Sequence, residues 1–491
     1  MVTRKKVECD FVNFKEYAKL AFKRAKYDEA CKLIKTASKI AYHFNFKYSD
    51  KELDGLIKEL SIKNIIKGNF NGQLGKYVFY DSFGYDNRGL TQQYIKALKK
   101  WDVDFLYILE SENSQCCNII QELNEHEKAE ILVLPSFESY IAKSQLIYEK
   151  ISQYNPEKIF MHLAPWSVEA LIAMHAIAGP KKYLIDLTDH AFWLGADVAE
   201  YYISFRGYGE FISNEFRGIS ADKIMRQPYY PIINNDEFKG FDFDTDDKTI
   251  IFTGGTYYKM YGEGNTFLNI IVRICKENPN AIVLIAGSGE PSPINKIIRD
   301  NNLQDKVYLI GNRSDISSVF KNIDIYLNTY PIIGGLMSQY AVSHNKPLIG
   351  YTSKNIPCNV TEGLFVNVTN RQIGFTYYDL DDLHHEINRL ISCKTYRVNK
   401  ANECFDIIPT EEEFFIELKN NVENSKVIGS VEKIDDFDIE KFSSLYFDME
   451  NNYIKSYDRV KLSEMKLLYF KYNFLDALGS SLKIIMSKVL K

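Results

Sequence analysis

What this chain lacks narrows it first. None of its eight cysteines (Cys9, Cys31, Cys116, Cys117, Cys275, Cys358, Cys393 and Cys404) forms a C-x-x-C pair, and the adjacent Cys116-Cys117 suits no ordinary disulfide. That spacing excludes a zinc ribbon and reads as reduced cytosolic thiols. The basic start, Met1 to Asp10, has no apolar stretch behind it, so no signal peptide is expected. No run approaches the roughly 18 apolar residues of a spanning helix. Sixty basic residues against 65 acidic leave a net charge of −5, so no overall positive field recruits nucleic acid. Apolar residues at 45% and charged residues at 25% are those of an ordinary soluble protein. At 491 residues the chain exceeds a single core, and two large domains are expected.

The pattern along the chain divides it. Over 11–64, Ala18, Ala21, Ala25, Ala30, Leu33, Ile34, Ala37 and Ile40 recur at helical spacing. Ala25 to Ala30 resembles the opening of a tetratricopeptide helix pair, and a single such unit must pack on a neighbour. The expectation is a helical extension over 1–70 that caps the next domain. From 71 to 235, apolar runs (Tyr77–Tyr80, Phe105–Leu109, Ile131–Leu134, Ile159–Met161, Tyr183–Leu187) alternate with helical stretches such as Leu90–Lys100 and Trp166–Ala178. A polar, acidic segment over 234–248 follows. Its Asp242 to Asp247 could be read as a D-x-D metal site, but acids placed before a strand rather than after it favour a linker. A second alternation fills 248–400, with runs at Ile250–Phe252, Ile282–Ala286, Val307–Ile310, Ile323–Leu327, Leu348–Gly350 and Leu364–Val366. Helical stretches fall at 265–277, 291–302 and 337–345. The fold class is therefore α/β, with two doubly wound, Rossmann-like domains facing each other across a cleft and ligands at the carboxyl ends of the strands. Beyond 401 the chain is helical and polar. Its last 26 residues set Phe474, Leu478, Leu482, Ile485 and Val489 at helical spacing, with Lys466, Lys471, Lys483, Lys488 and Lys491 against the one acid Asp476. Such a basic amphipathic helix can lie on an anionic membrane surface or dock on the protein body.

Four segments carry chemistry. Asp189-His190 follows the run Tyr183–Leu187, where an α/β enzyme places an acid or base. His190 is the candidate base, oriented by Asp189 or Asp186, with His162 at another strand end as the alternative. Thr253-Gly254-Gly255 with Lys259 follows a strand and can admit a phosphate to backbone amides and a point charge. Ala286-Gly287-Ser288-Gly289-Glu290 supplies only two glycines of a dinucleotide fingerprint. Asn328 to Val342 reads as strand end, Gly334-Gly335 turn and helix, offering a diphosphate free amides at a positive dipole end, with Ser338 in the first turn. Arg313, after the preceding strand, can pair with phosphate or with Asp315. His344, in the helix after the turn, reads as structural.

At this point the residues resemble a family. Residues 248–370 look like the donor domain of GT-B glycosyltransferases, which use nucleotide sugars without a bound metal. The Gly334-Gly335 turn is similar to the donor-diphosphate segment of the O-GlcNAc-transferase-like and family-4-like branches. Family 4 usually has two glutamates eight positions apart, where this chain has Pro331 and Gln339. The N-terminal half resembles the acceptor domain of bacterial polysaccharide-type enzymes through Asp81-Ser82-Phe83-Gly84-Tyr85 with Arg88-Gly89, Asp189 to Gly195, and Arg217-Gly218-Ile219.

The resemblance implies a glycosyltransferase moving a hexose-type sugar from a nucleotide sugar to a hydroxyl, in cell-surface polysaccharide or glycoconjugate synthesis. A UDP-sugar is the expected co-substrate, with no separate cofactor and no metal. The implied acceptor is a saccharide, a lipid-linked saccharide or a protein, and the implied place is the cytoplasm, peripheral at the inner membrane face. His190 and Asp189 would serve catalysis. Gly254, Gly255, Lys259, Arg313, Gly334, Gly335 and Ser338 would hold the donor. A nucleotide-sugar epimerase on the same scaffold, or a non-catalytic sugar- or nucleotide-binding partner, are the alternative readings.

Overall fold

The apolar runs, rich in β-branched and aromatic residues, become two sheets in which every pairing is parallel. The computed structural model describes residues 2–68, 70–86, 90–111, 115–404, 406–435 and 437–489. Arg88, Gly89 and Lys491 lie outside the described residues, as do the side chains of Lys488 and Val489. The chain forms two compact units. The first comprises 1–227, 415–433 and 455–491, and the second comprises 228–414 and 434–454.

The first unit opens with three helices, α1 (Arg4–Lys23), α2 (Tyr27–Phe44) and α3 (Lys51–Asn64). Thr3 and Asp50 accept first-turn amides of α1 and α3, satisfying groups that a helix start otherwise leaves orphaned. Val7, Phe11, Phe14, Ala18 and Ala21 of α1 are buried, as are Leu33, Ile34, Ala37 and Ile40 of α2. Each fully buried large apolar side chain contributes roughly 1.5–3 kcal/mol. The extension is no separate appendage: α2 and α3 pack on the helix Val168–Ala176.

The first sheet holds β1 (Gln73–Asp81), β2 (Asp104–Leu109), β3 (Ala129–Val133), β4 (Pro156–His162), β5 (Lys181–Ile185), β6 (Tyr201–Ser204) and β7 (Ile224–Arg226), in the order β3-β2-β1-β4-β5-β6-β7. The order reverses between β1 and β4, the switch point at which α/β sheets bind ligands. The short β6 and β7 were not expected from the sequence.

The second sheet holds β8 (Thr249–Gly254), β9 (Ala281–Ala286), β10 (Val307–Gly311), β11 (Ile325–Leu327), β12 (Leu348–Tyr351) and β13 (Thr376–Tyr377), in the order β10-β9-β8-β11-β12-β13. Its switch point lies between β8 and β11. Phe252, Leu284, Val319, Phe320, Tyr326 and Tyr340 form the core around it.

Three expectations change here. Leu364–Val366 is not a strand: the Glu362 carboxylate takes the Thr376 amide at 2.8 Å, and the edge position belongs to β13. The acidic segment 234–248 is no free linker. Its Phe238, Phe241 and Phe243 pack on the core of the second unit, with Phe243 stacked on Tyr308 at 3.8 Å. The helical tail beyond 401 is not one appendage but is shared between the units.

Candidate functional site

Two sets of residues gather at the two switch points, one in each unit. In the first unit, register pairs the last residues of β1 and β4, Asp81 and His162. His162 Nδ1 lies 3.1 Å from Asp81 Oδ1, and both side chains are fully buried. Asp81 also accepts from the amides of Phe83 at 2.9 Å and Gly84 at 3.2 Å, from Thr91 Oγ1 at 2.9 Å and from Tyr107 Oη at 2.8 Å. Burial alone would push this carboxyl up, but the bond to His162 and the other donors outweigh it and hold it below its ordinary value. An anionic acceptor at Nδ1 fixes the proton there and leaves the lone pair on Nε2. Among the described residues Nε2 has no hydrogen-bond partner, and the Phe83 ring stands 4.7 Å from the imidazole.

The loop after β5 carries Asp186, Asp189 and His190, and two arginines hold it. Arg206 makes two bonds to Asp189, at 2.6 and 2.9 Å, with both side chains buried. Burial opposes the charge on Asp189, but the Arg206 guanidinium keeps the carboxyl well below the usual carboxylate range. Arg217 reaches Asp186 at 3.3 Å and the carbonyls of Thr188, Asp189 and Ala191, with its guanidinium 4.4 Å from the Trp193 ring centre. His190 is about a quarter exposed (24%), and its Nδ1 lies 3.7 Å from Asp189 Oδ1, outside hydrogen-bond reach. Asp189 is therefore first the partner of Arg206, with the His190 ring as its next neighbour. Asp186, the other candidate orienter, is tied to Arg217 and Ser213. Asn45, just past the end of α2, donates to the His190 carbonyl at 2.9 Å, and Asp54 of α3 accepts the Gly195 amide at 2.8 Å, so the N-terminal helices buttress this loop.

Sequence reasoning missed a polar cavity of about 220 Å³ beyond β2 and β3 in the same unit. Lys35, Glu110, Phe137, Tyr140, Lys143 and Glu169 line it. Lys143 donates to Glu110 Oε1 at 3.0 Å, and Lys35 stands 3.7 Å from Glu169 Oε1. The second oxygen of each glutamate and the Tyr80 hydroxyl are buried without a partner among the described residues. These residues come from five separate stretches of chain, and no local motif announces them.

In the second unit, β8 ends at Gly254 and the helix Gly335–Ser343 starts beside it. A Cβ on Gly254 would sit 2.9 Å from the Met337 side chain, and one on Gly335 would sit 2.6 Å from the Tyr229 hydroxyl, so both positions need glycine for close approach. Asn328, just past β11, shapes the turn: its Oδ1 accepts the amides of Thr329 at 2.9 Å and Gly334 at 3.0 Å, and its Nδ2 donates to Thr361 at 3.1 Å. The Gly334 amide is thereby used internally. The first intrahelical bond runs from the Ser338 amide to the Gly334 carbonyl, so the amides of Gly335, Leu336 and Met337 are the first-turn donors without a carbonyl in their own helix. Lys259, whose Nζ donates to the Ile333 carbonyl at 3.2 Å, stands at this same turn.

Ser338 and Arg313, the two further donor candidates from sequence, both have partners within the protein. Ser338 is fully buried and turns its hydroxyl back to the Gly334 carbonyl at 3.0 Å. Arg313 follows the edge strand β10, two strand spacings or roughly 10 Å from β8. There it pairs with Asp315 at 2.7 and 2.6 Å and with the Gly240 carbonyl at 2.9 Å. Gln339, where family 4 has a glutamate, donates to the carbonyls of Tyr229 and Leu364 and ties those segments to the helix. The Gly287-Ser288-Gly289 turn serves packing: a Cβ on Gly287 would lie 1.9 Å from the Gly255 carbonyl, and Ser288 O accepts the Tyr257 amide at 2.9 Å.

No family model matches the chain, and no curated protein matches it. Solved structures do. HepE of Anabaena, crystallised with UDP and glucose, is similar at 13% identity over 71% of this chain and 99% of that one, with a TM-score of 0.51. The same protein with UDP-glucose gives 12% identity, the same coverage and a TM-score of 0.51. A mutant O-GlcNAc transferase of Thermobaculum terrenum gives 11% identity over 85% of this chain and 81% of that one, with a TM-score of 0.54. At such identities the likeness is one of fold, and the fold is GT-B.

Proposed function

With the GT-B fold as premise, we propose that this chain is a glycosyltransferase that moves a hexose-type sugar from a UDP-sugar to a hydroxyl of a saccharide or lipid-linked saccharide. The observation that carries this reading is the second switch point. First-turn amides without a carbonyl in their own helix, two glycines and a lysine meet where a diphosphate would sit. Gly254, Gly255, Gly335 and Lys259 then hold the donor, with Gly334 and Ser338 shaping the turn and Arg313 taking no part. The solved relatives that carry UDP and UDP-glucose are similar to this chain along most of its length, which supports the choice of nucleotide.

In the reaction, the bond from the anomeric carbon to the diphosphate breaks and the nucleoside diphosphate leaves. The acceptor oxygen bonds to that carbon, and its proton passes to an imidazole. Fixed amide dipoles and Lys259 stabilise the charge gathering on the leaving phosphate. His190 is the proposed base, because its ring is about a quarter exposed and the Asp189 carboxylate nearby favours the imidazolium it becomes. A second reading gives this role to His162. Its unpartnered Nε2, at the switch point and backed by Asp81, is the arrangement a general base requires once Phe83 moves aside. The polar cavity of Glu110 and Glu169 fits acceptor hydroxyls, since a buried carboxylate oxygen without a donor is costly until one arrives.

A thermal-shift series with UDP-, GDP- and CMP-sugars tests the donor, with a rise in melting temperature expected for UDP alone and lost in Lys259→Met. Transfer by His190→Ala and His162→Ala then assigns the base. The true base loses on the order of hundredfold in turnover while UDP binding persists. Conversion of donor without any acceptor would replace this reading with an epimerase. UDP binding with no turnover across many acceptors would replace it with a binding protein.

A further inference from the structure

The last helix of the chain, Phe474–Val489, has one side docked and another left bare. Its docked side carries Asp476, Ala477 and Ser480. Asp476 accepts from Lys461 at 2.9 Å and pairs with Lys6 at 3.0 Å, Ser480 donates to Asp458 at 2.5 Å, and Ala477 is fully buried. About half a helical turn away, Phe474, Leu475, Leu478, Leu482, Ile485 and Met486 form an apolar stripe along the helix, with exposures running from 42% at Leu478 to 80% at Leu475. Leu467, at the start of the preceding short helix, is 85% exposed. Scattered exposed apolar residues need no explanation, but a contiguous helical stripe of this size does.

The charges around the stripe name its occupant. The chain as a whole is at −5, yet its last 26 residues carry five lysines and one acid. That acid, Asp476, points inward to Lys461, and Asp458 of the neighbouring helix is likewise spent on Ser480 and Lys461. Lys471 is held by Glu29, whereas Lys466 and Lys483 stay exposed, Lys483 with its Nζ 3.6 Å from Asp458. An apolar face flanked by exposed cations, with Asp458 and Asp476 turned toward lysines, complements an anionic lipid surface, into which such a helix sinks in the plane of the headgroups.

We propose that the bare face of Phe474–Val489 binds an anionic bilayer surface and holds the first unit there. The inference does not rest on the glycosyltransferase reading, since the UDP-dependent thermal shift and membrane binding are measured separately. The test is vesicle flotation of the full chain with phosphatidylcholine alone and with phosphatidylcholine containing phosphatidylglycerol. We expect flotation with the mixed vesicles, weakening with added salt, and at least a roughly tenfold loss of partition in the triple variant Leu478→Ser, Leu482→Ser, Ile485→Ser. All three side chains point away from the docked side, so the melting temperature should stay unchanged. No partition, or equal partition by the parent and the triple variant, would overturn the proposal. So would a concentration-dependent dimer that the same variant dissolves, since the face would then belong to a second copy.

Discussion

Single side chains decide what the sequence left open. Arg313 reads in sequence as a phosphate ligand or a partner of Asp315, and the structure gives it two bonds to that carboxylate. The Asp81–His162 pair was half legible. Both residues stood in segments singled out from sequence, but 81 positions separate them, and only the parallel register of β1 with β4 joins them. Arg206 gave no signal, because an arginine that neutralises a buried aspartate has no fixed spacing from it. Asp54 yields a test of the loop it supports. Burial pushes its carboxyl up to about 7. The folded protein thus holds this proton more tightly than the unfolded chain does. The contribution of Asp54 is fullest below about pH 4 and is lost as the pH climbs to about 7. Asp54→Asn keeps an oxygen for the Gly195 amide without the charge. Its gain in melting temperature over the parent should grow to a few degrees between about pH 5 and pH 8, which scanning calorimetry across that range would show.

Elements were legible where they were long. Helices within 11–64 and most strands appear where periodicity puts them, because burial of one face or of a whole run leaves its mark on composition. Tyr201–Ser204 and Ile224–Arg226 are too short to carry a pattern. Leu364–Val366 has a strand's composition without its place, since β13 already holds the sheet edge. The ionic knot that fastens the terminal helices was likewise invisible in sequence. Lys461, almost wholly buried, contacts Asp10 at 3.4 Å and Asp476 at 2.9 Å, while Tyr457 bonds Asp10 and Tyr469 bonds Asp476. Lys461→Met leaves Asp10 and Asp476 to Lys6 and their tyrosines and should cost about 1–3 kcal/mol in urea unfolding, with Asp10→Asn recovering part of the loss. Burial opposes the charge on Asp476, but Tyr469 and Lys461 draw its carboxyl down to about 2. Its contribution is therefore present above about pH 4 and lost as the pH falls toward 2.

The whole molecule shows what a linear reading of domains overlooks. The sequence divides into consecutive blocks, and two parallel sheets follow from them as expected. The chain, however, leaves the first unit after Gln227, returns for 415–433, leaves again and returns for 455–491. Composition cannot display such crossings, since a helix bears the same amphipathic mark whichever core it joins. The helix Tyr457–Met465 covers α2, with the Phe44 and Tyr457 rings 5.5 Å apart. A chain stopped at Phe414 should therefore bare that face and melt its first unit lower by on the order of 10 °C. The second unit would lose only 434–454, and circular dichroism and UDP-dependent shifts would follow the two separately.

That threading also sets a timetable. A ribosome makes the chain from residue 1 onward, so the unit begun first is the last one completed. Its sheet can pair once β7 has emerged, while the apolar seat on α2 stays uncovered until some 230 further residues have been made, roughly 10–50 s of synthesis at ordinary rates. During that interval the second unit can fold in full except for 434–454. The nascent protein thus carries an open hydrophobic surface for most of its birth.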